Sequence, residues 1–248
     1  MDCDALRDDQ WERIRGFVPG GTKGKRGPRT DNRKFLDALL WMARSGGRWR
    51  DLPERLGDYR SVKRRYYRWI EMGVLDEMLL VLAREADDRL DHCARSSARR
   101  RRAPVKRGAD AQGLGRSRGG LSTKIHAAGD ALGLPVRLIA SPGQRNDIAF
   151  AHDLVDGFET GAAIADKGYD ADHLLEKIAE IGADVVIPPK RNRKHQRPYD
   201  ADLYKERNII ERFFNKLKQF RRVATRYDKL LANFMGFVKL AAIAIWLR

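Results

Sequence analysis

The chain predicts an α/β domain with a mixed sheet and flanking helices, preceded by a small all-α module. Three observations carry that expectation. Apolar residues recur at helical spacing from the N-terminus to about residue 82. A compositional break follows over 87–118. From Leu121 onward, short apolar runs alternate with amphipathic stretches in the order β-β-α-β-α-β-α. The expected division is a helical module over 1–86, a basic linker or disrupted first strand over 87–118, and an α/β domain over 119–248.

Within the helical module, Trp11, Ile14, Phe17 and Val18 share one helical face, and Pro19-Gly20-Gly21 ends that segment. A polar loop rich in Gly and Lys runs from Gly20 to about Thr30. Phe35, Leu36, Leu39, Leu40 and Ala43 form a second stripe, closed by Gly46-Gly47, and Asp51 to Leu56 suggests a short helix after Trp49. Ser61 is the expected N-cap of a further helix with Val62, Tyr66, Trp69 and Ile70 inward and Lys63, Arg64, Arg65 and Arg68 mostly outward. Two short helices, a glycine-containing turn and a basic third helix resemble a helix-turn-helix. In that arrangement the four cations would meet DNA; otherwise they line a solvated face of a small bundle.

Charge narrows the partners. Fifty Lys and Arg against 34 Asp and Glu leave a net +16, which draws the molecule to polyanions, nucleic acid foremost and anionic membrane second. No run reaches the roughly 18–20 apolar residues of a membrane span. The nearest approach, Phe234 to Leu247, contains Lys239 and reads as a buried helix. Asp2 and Asp4 with no apolar run behind them are not a secretory signal. Cys3 and Cys93 lack metal-ligand spacing and fit a reducing, cytoplasmic setting. Between the two folded regions Arg95, Arg99, Arg100, Arg101, Arg102, Lys106, Arg107, Arg116 and Arg118 sit among Ala, Ser and Gly, too little apolar material to bury much surface.

In the α/β region, Leu121 to Ala128 and Val136 to Ala140 read as strands around a turn at Asp130 to Pro135, and Asp147 to Phe158 as a helix. Ala162 to Ala165 is a short buried strand, Asp170 to Ile181 a helix ended by Gly182, and Val185 to Ile187 a strand stopped by Pro188-Pro189. A basic loop to about Asp202 precedes two helices, the first over Lys205 to Arg222. Asp166 directly follows a strand, where open α/β sheets collect functional groups, and a carboxylate there can bind a hard divalent cation. Capping a helix is the alternative role. Glu211 falls about 60° past Phe214, at the border of the apolar face made by Ile209, Ile210, Phe213, Phe214, Leu217 and Phe220. By spacing alone it is one half of an i, i+4 ion pair with Arg207.

Longer motifs add a family likeness. Ala165-Asp166-Lys167-Gly168-Tyr169-Asp170, followed by Arg207 to Lys218 with Glu211 inside it, resembles the last two acidic motifs of DDE transposases. The run Arg221 to Lys229 and the block Gly115 to His126 are similar to regions of the insertion-sequence family five. Trp41, Trp49-Arg50-Asp51-Leu52-Pro53 and Trp69 resemble that family's helical DNA-binding domain. The likeness implies a ribonuclease-H-like fold, three carboxylates holding two Mg²⁺ (or Mn²⁺) ions, and phosphodiester cleavage with strand transfer on double-stranded DNA. It further implies a bacterial, nucleoid-associated protein acting as a homodimer or higher oligomer. Asp166 would be the second carboxylate and Glu211 the third, with Arg207, Arg212, Lys218, Arg226 and Lys229 on backbone phosphates. Tyr227 would stack near a DNA end or pack internally.

The first carboxylate is expected on an apolar strand ahead of Gly115. That place reads Asp87-Asp88-Arg89-Leu90-Asp91-His92, without apolar alternation, so Asp91 is only a superficial candidate. Arg- and Ala-rich text between well-formed motifs is also what a GC-rich gene yields when briefly translated out of frame, here over roughly Asp88 to Ala103. Such a change would delete the first strand and its acid. Two main functions therefore stand open: a transposase, or a catalytically defective remnant that only binds DNA and acts as a repressor. A ribonuclease or repair nuclease of the same fold is a third.

Overall fold

The computed structural model describes residues 5–19, 31–87, 108, 110–117 and 120–248, with the side chains of 85–87 and 110 left aside. In chain order the helices are α1 (Asp8–Ile14), α2 (Asn32–Ser45), α3 (Tyr59–Met72), α4 (Val74–Asp87), α5 (Ala151–Val155), α6 (Asp172–Glu180), α7 (Ala201–Tyr204), α8 (Asn208–Lys218), α9 (Arg221–Ala224) and α10 (Leu231–Trp246). The strands are β1 (Gly115–Ser117), β2 (Gly120–Gly129), β3 (Pro135–Pro142), β4 (Ala162–Ile164) and β5 (Asp184–Val186). The expected polar loop over 20–30, Asp91 and the run from Arg95 to Arg107 lie outside the described residues.

Two compact units result, 1–83 with 214–248 and 84–213, so the division falls inside α4 and α8. The last helices of the expected 119–248 domain thus belong with the N-terminal ones. Apolar periodicity explains the first unit: α2 buries Phe35, Leu36, Leu39, Leu40 and Ala43, and α3 buries Val62, Tyr66 and Trp69. α10 is buried nearly all round, as its largely apolar composition requires. Phe35 meets Trp69 edge-on at 4.8 Å, Tyr66 meets Phe237 at 4.6 Å, and the Tyr66 hydroxyl donates to the Asn233 carbonyl at 2.6 Å. The single cation of α10, Lys239, pairs with Asp76. Among the described residues no helix is long and apolar enough to cross a membrane.

Several local expectations shift. α3 begins two residues before Ser61; Asp58 is its cap, accepting from the Ser61 N–H at 3.0 Å and the Ser61 hydroxyl at 2.9 Å. The helix expected over Asp147 to Phe158 is a 3-10 turn, Asp147–Phe150, followed by the short α5. The one expected over Lys205 to Arg222 breaks into a 3-10 turn at Lys205–Arg207, α8 and α9. Phe220 takes an extended conformation (φ −81°, ψ 101°) to bury its ring beneath the Arg44 guanidinium, ending the continuous helix.

In the second unit the strands do not form one sheet among the described residues. β1-β2-β3 is antiparallel, with Ile125 opposite Ala140 and His126 opposite Ile139, while β4-β5 is a parallel pair with Ala163 opposite Val185. β1 lies inside the stretch expected to be linker and pairs antiparallel with β2. Ala151, Leu174, Ile178, Ala183 and Ile187 form the core over the parallel pair, with Ala163, Ala165, Tyr169 and Val185 packed against it.

Candidate active site and nucleic-acid interface

β4 ends where the Ala165 N–H reaches the Val186 carbonyl at 3.4 Å, and the chain turns out into solvent at Asp166. Asp166 caps the 3-10 turn Lys167–Tyr169, its Oδ1 accepting from the Gly168 N–H at 2.7 Å. A Cβ on residue 168 would stand 2.8 Å from that oxygen, so a larger residue there would push the Asp166 carboxylate out of its cap. The cap engages one oxygen of an exposed carboxylate. The capping role and a ligand role are therefore compatible in one side chain.

Behind this turn lies a polar cluster that local sequence did not reveal. Tyr169 packs on the apolar core and its hydroxyl is pushed up to about 12, first by burial and then by the negative charges of Asp147 and Asp166. Asp147 opens the neighbouring 3-10 turn and pairs with Lys124 Nζ at 3.1 Å. It also stands 3.4 Å from His126 Nδ1, while His126 Nε2 meets Ser141 Oγ at 2.8 Å and the ring stacks on Phe150 at 4.7 Å. Burial depresses the His126 pKa against the opposing pull of Asp147. Lys124 and His126, two apart on β2, share one face of the strand. That spacing was the available sign of a polar cluster, though nothing in it named Asp147 as the partner.

Glu211 sits in the first turn of α8, with Oε1 2.8 Å from Arg207 Nη2 and its side chain about half exposed. This is the i, i+4 pair its spacing allowed. Arg207 also lies over the Tyr204 ring at 5.7 Å. Ile209 and Ile210 of the same turn rest against the β2–β3 hairpin at Gly133 and Gly129, which anchors the start of α8. Among the described residues no three His, Cys, Asp or Glu side chains gather at metal-holding distance, and Asp91 lies outside them.

The basic candidates fall into two kinds. Arg64, Arg68, Arg212, Lys218 and Lys229 are exposed, and Lys63 lies over the Tyr67 ring at 5.7 Å. Arg65 is embedded instead: its guanidinium covers Phe35 at 4.2 Å and Trp69 at 5.4 Å, donates to Asn32, and has its pKa lowered by burial. Arg226 likewise braces its own loop, donating to the carbonyls of Asp228 and Lys229, both at 3.0 Å, and lying over Phe234. Tyr227 is half exposed. The neighbouring Arg222, not singled out by sequence, is buried: it donates to Asp228 at 3.0 and 3.3 Å and to the Gly47 carbonyl at 2.7 Å.

Comparison with known proteins identifies the family. Residues 6–79 match the IS4/5 transposase family DUF4096, and residues 95–247 match the family described as Transposase DDE domain. A Brucella ovis protein assigned as the transposase for insertion sequence element IS6501 is 48% identical over 130 residues, 52% of this chain and 100% of that protein. One from Burkholderia cepacia, assigned to element IS402, is 26% identical over 135 residues, 50% of this chain and 62% of that protein. The uncharacterised protein y4sN of Sinorhizobium fredii is 94% identical over 87 residues, 35% of this chain and 70% of that protein. No solved structure matches.

Proposed function

The chain belongs to the DDE transposases of the IS4/5 family, and from that premise we propose that it binds transposon-end DNA and catalyses metal-dependent strand cleavage and strand transfer. The observation that carries this reading is Asp166: an exposed carboxylate directly after β4, fixed through one oxygen by the Gly168 N–H. Glu211, at the start of α8 in the same unit, is the second donor.

Both donors offer hard oxygen atoms, the ligand type Mg²⁺ and Mn²⁺ prefer. Asp166 and Glu211 would hold the ions, with Asp91 as the third candidate. When bound, such ions activate an attacking oxygen and stabilise the leaving oxygen of an in-line displacement. The protein's share is positional. The cap at Gly168 sets the Asp166 rotamer, and Arg207 holds Glu211 extended at 2.8 Å until a cation competes for it. Arg212, Lys218, Lys229, Arg64 and Arg68 are exposed and suited to backbone phosphates, which orient DNA without reading its sequence. Synapsis of two ends requires at least a dimer.

A second reading, the DNA-binding remnant, rests on the sequence around Asp91, which lacks the apolar alternation expected of a strand carrying the first carboxylate. Labelled end DNA with Mg²⁺ or Mn²⁺ separates the two. Nicking that disappears in Asp166→Asn and in Glu211→Gln supports the transposase; retarded DNA with no nicking in any metal supports the remnant.

A further inference from the structure

The segment 188–199, between β5 and α7, carries no helix or strand, yet it is tied down at several points. The tie is Asp170, at the far end of the turn that Asp166 begins. Its side chain is fully buried and accepts from the Lys190 backbone N–H and from Arg193 Nε, both at 2.7 Å. Lys190 Nζ returns to the Asp170 carbonyl at 3.0 Å, and Arg193 Nη1 reaches Asp172 at 2.5 Å. Arg197 stands 3.7 Å from the other Asp170 oxygen and donates to the Ile187 carbonyl at 2.6 Å. The Gln196 amide closes the loop on itself through the carbonyls of Lys190 and Arg193. Burial works against the Asp170 charge, but the Arg193 and Lys190 hydrogen bonds outweigh it and hold the carboxyl below its ordinary range.

A buried carboxylate is tolerated only when it is paired and hydrogen-bonded, and here that pairing serves an irregular loop. Arg193 and Arg197 are consumed by the latch. Arg191 and Lys194 are not: both are exposed, and among the described residues neither is paired with an acidic side chain. His195 is exposed beside them. The latch thus presents cations the fold does not use, on a loop fastened to the same turn as Asp166, with the ordering entropy met before any ligand arrives.

We propose that this latched loop is a contact surface for the phosphate backbone of duplex DNA, with Arg191 and Lys194 holding phosphates next to the Asp166 turn. The proposal rests on the transposase reading and adds a surface outside the motifs that support it. Charge without base-reading groups fits a sequence-independent contact, such as DNA flanking the cleaved position.

The test is the full chain carrying Arg191→Ala and Lys194→Ala, titrated with labelled duplex of arbitrary sequence from about 50 to about 200 mM salt. Loss of two phosphate contacts lowers the slope of log K against log salt by about 2 and weakens every duplex alike. Arg191→Lys should keep the wild-type slope. An unchanged slope in the double variant, with wild type binding normally, overturns the loop proposal and leaves the transposase reading intact. Wild-type protein that binds no duplex at all overturns both.

Discussion

The buried pair Arg222–Asp228 offers a quantitative check on how the helical unit is held. Both side chains are about 5% exposed, and the guanidinium is bound on three sides: two contacts to Asp228, one to the Gly47 carbonyl, with Phe237 at 4.6 Å and Trp49 at 5.4 Å on its flanks. Asp228→Leu leaves a buried guanidinium without its carboxylate, and Arg222→Met leaves the carboxylate alone. Either should cost about 3–5 kcal/mol. At roughly 2–4 °C per kcal/mol for a chain of this size, the melting transition falls by roughly 6–20 °C. Replacing both removes both charges and chiefly orphans the Gly47 carbonyl, so the double variant should cost only about 1–3 kcal/mol. The expected coupling is therefore at least about 3 kcal/mol.

Denaturant unfolding followed by tryptophan fluorescence can measure it, since Trp49 touches Arg222. Single variants that each cost under about 1 kcal/mol, or a double variant equal to their sum, would refute the claim that this pair is a desolvated, mutually dependent unit.

Three further outcomes follow from local geometry. Gly46 caps α2 at φ +66°, where a Cβ would meet Arg221 Cγ at 3.1 Å and Tyr227 Cε2 at 3.2 Å. Gly46→Ala should therefore destabilise by about 1–2 kcal/mol or more, and an unchanged unfolding midpoint would contradict it. Glu211→Gln should shift stability by under about 0.5 kcal/mol, because its Arg207 pair is half exposed, while abolishing metal-dependent nicking. A large loss of stability would instead make Glu211 a structural residue. For His126 the folded pKa is depressed, so as pH falls below the ordinary imidazole value of 6.5 the unfolded chain takes up the proton first. Stability from this group is present above 6.5 and declines as pH drops through the folded value. His126→Gln should flatten stability against pH between about 7 and about 5, and identical slopes in variant and parent would remove His126 as the cause.

What the sequence disclosed divides by the range of the interaction. α2, α3 and α10 were legible because each carries its own stripe or run of apolar residues, and the β2–β3 hairpin because Asp130 to Pro135 marks its turn. Asp166 was legible as the residue after a strand. Errors came where a nearby residue of the same chemistry could do the same work: Asp58, not Ser61, caps α3. Tertiary polar contacts were not legible. Arg222, Arg226 and the exposed Lys229 occur in one basic run, and nothing local says that the first is buried against Asp228, the second braces carbonyls and the third meets solvent. The same holds for Asp147, whose partners Lys124 and His126 come from β2.

The position of Asp166 has a physical origin other than a continuous sheet. Two parallel strands of three residues could not stand alone in water, since isolated two-stranded pairs are marginal even when longer. Their support comes from α5 and α6, through Ala151, Leu174 and Ile178, which close over Ala163, Ala165, Tyr169 and Val185. The carboxylate is then set by a cap to Gly168 at the end of that packed pair. Helix burial thus holds Asp166 in place, and α5 is itself tied to β3 by Arg137, which donates to the Asp153 and Asp156 carbonyls. In the proposed reading DNA affinity needs only the exposed cations, whereas metal-dependent cleavage also needs the carboxylates assembled. A chain of this family can keep the first while losing the second, which is why cleavage, rather than binding, discriminates between an active transposase and a remnant.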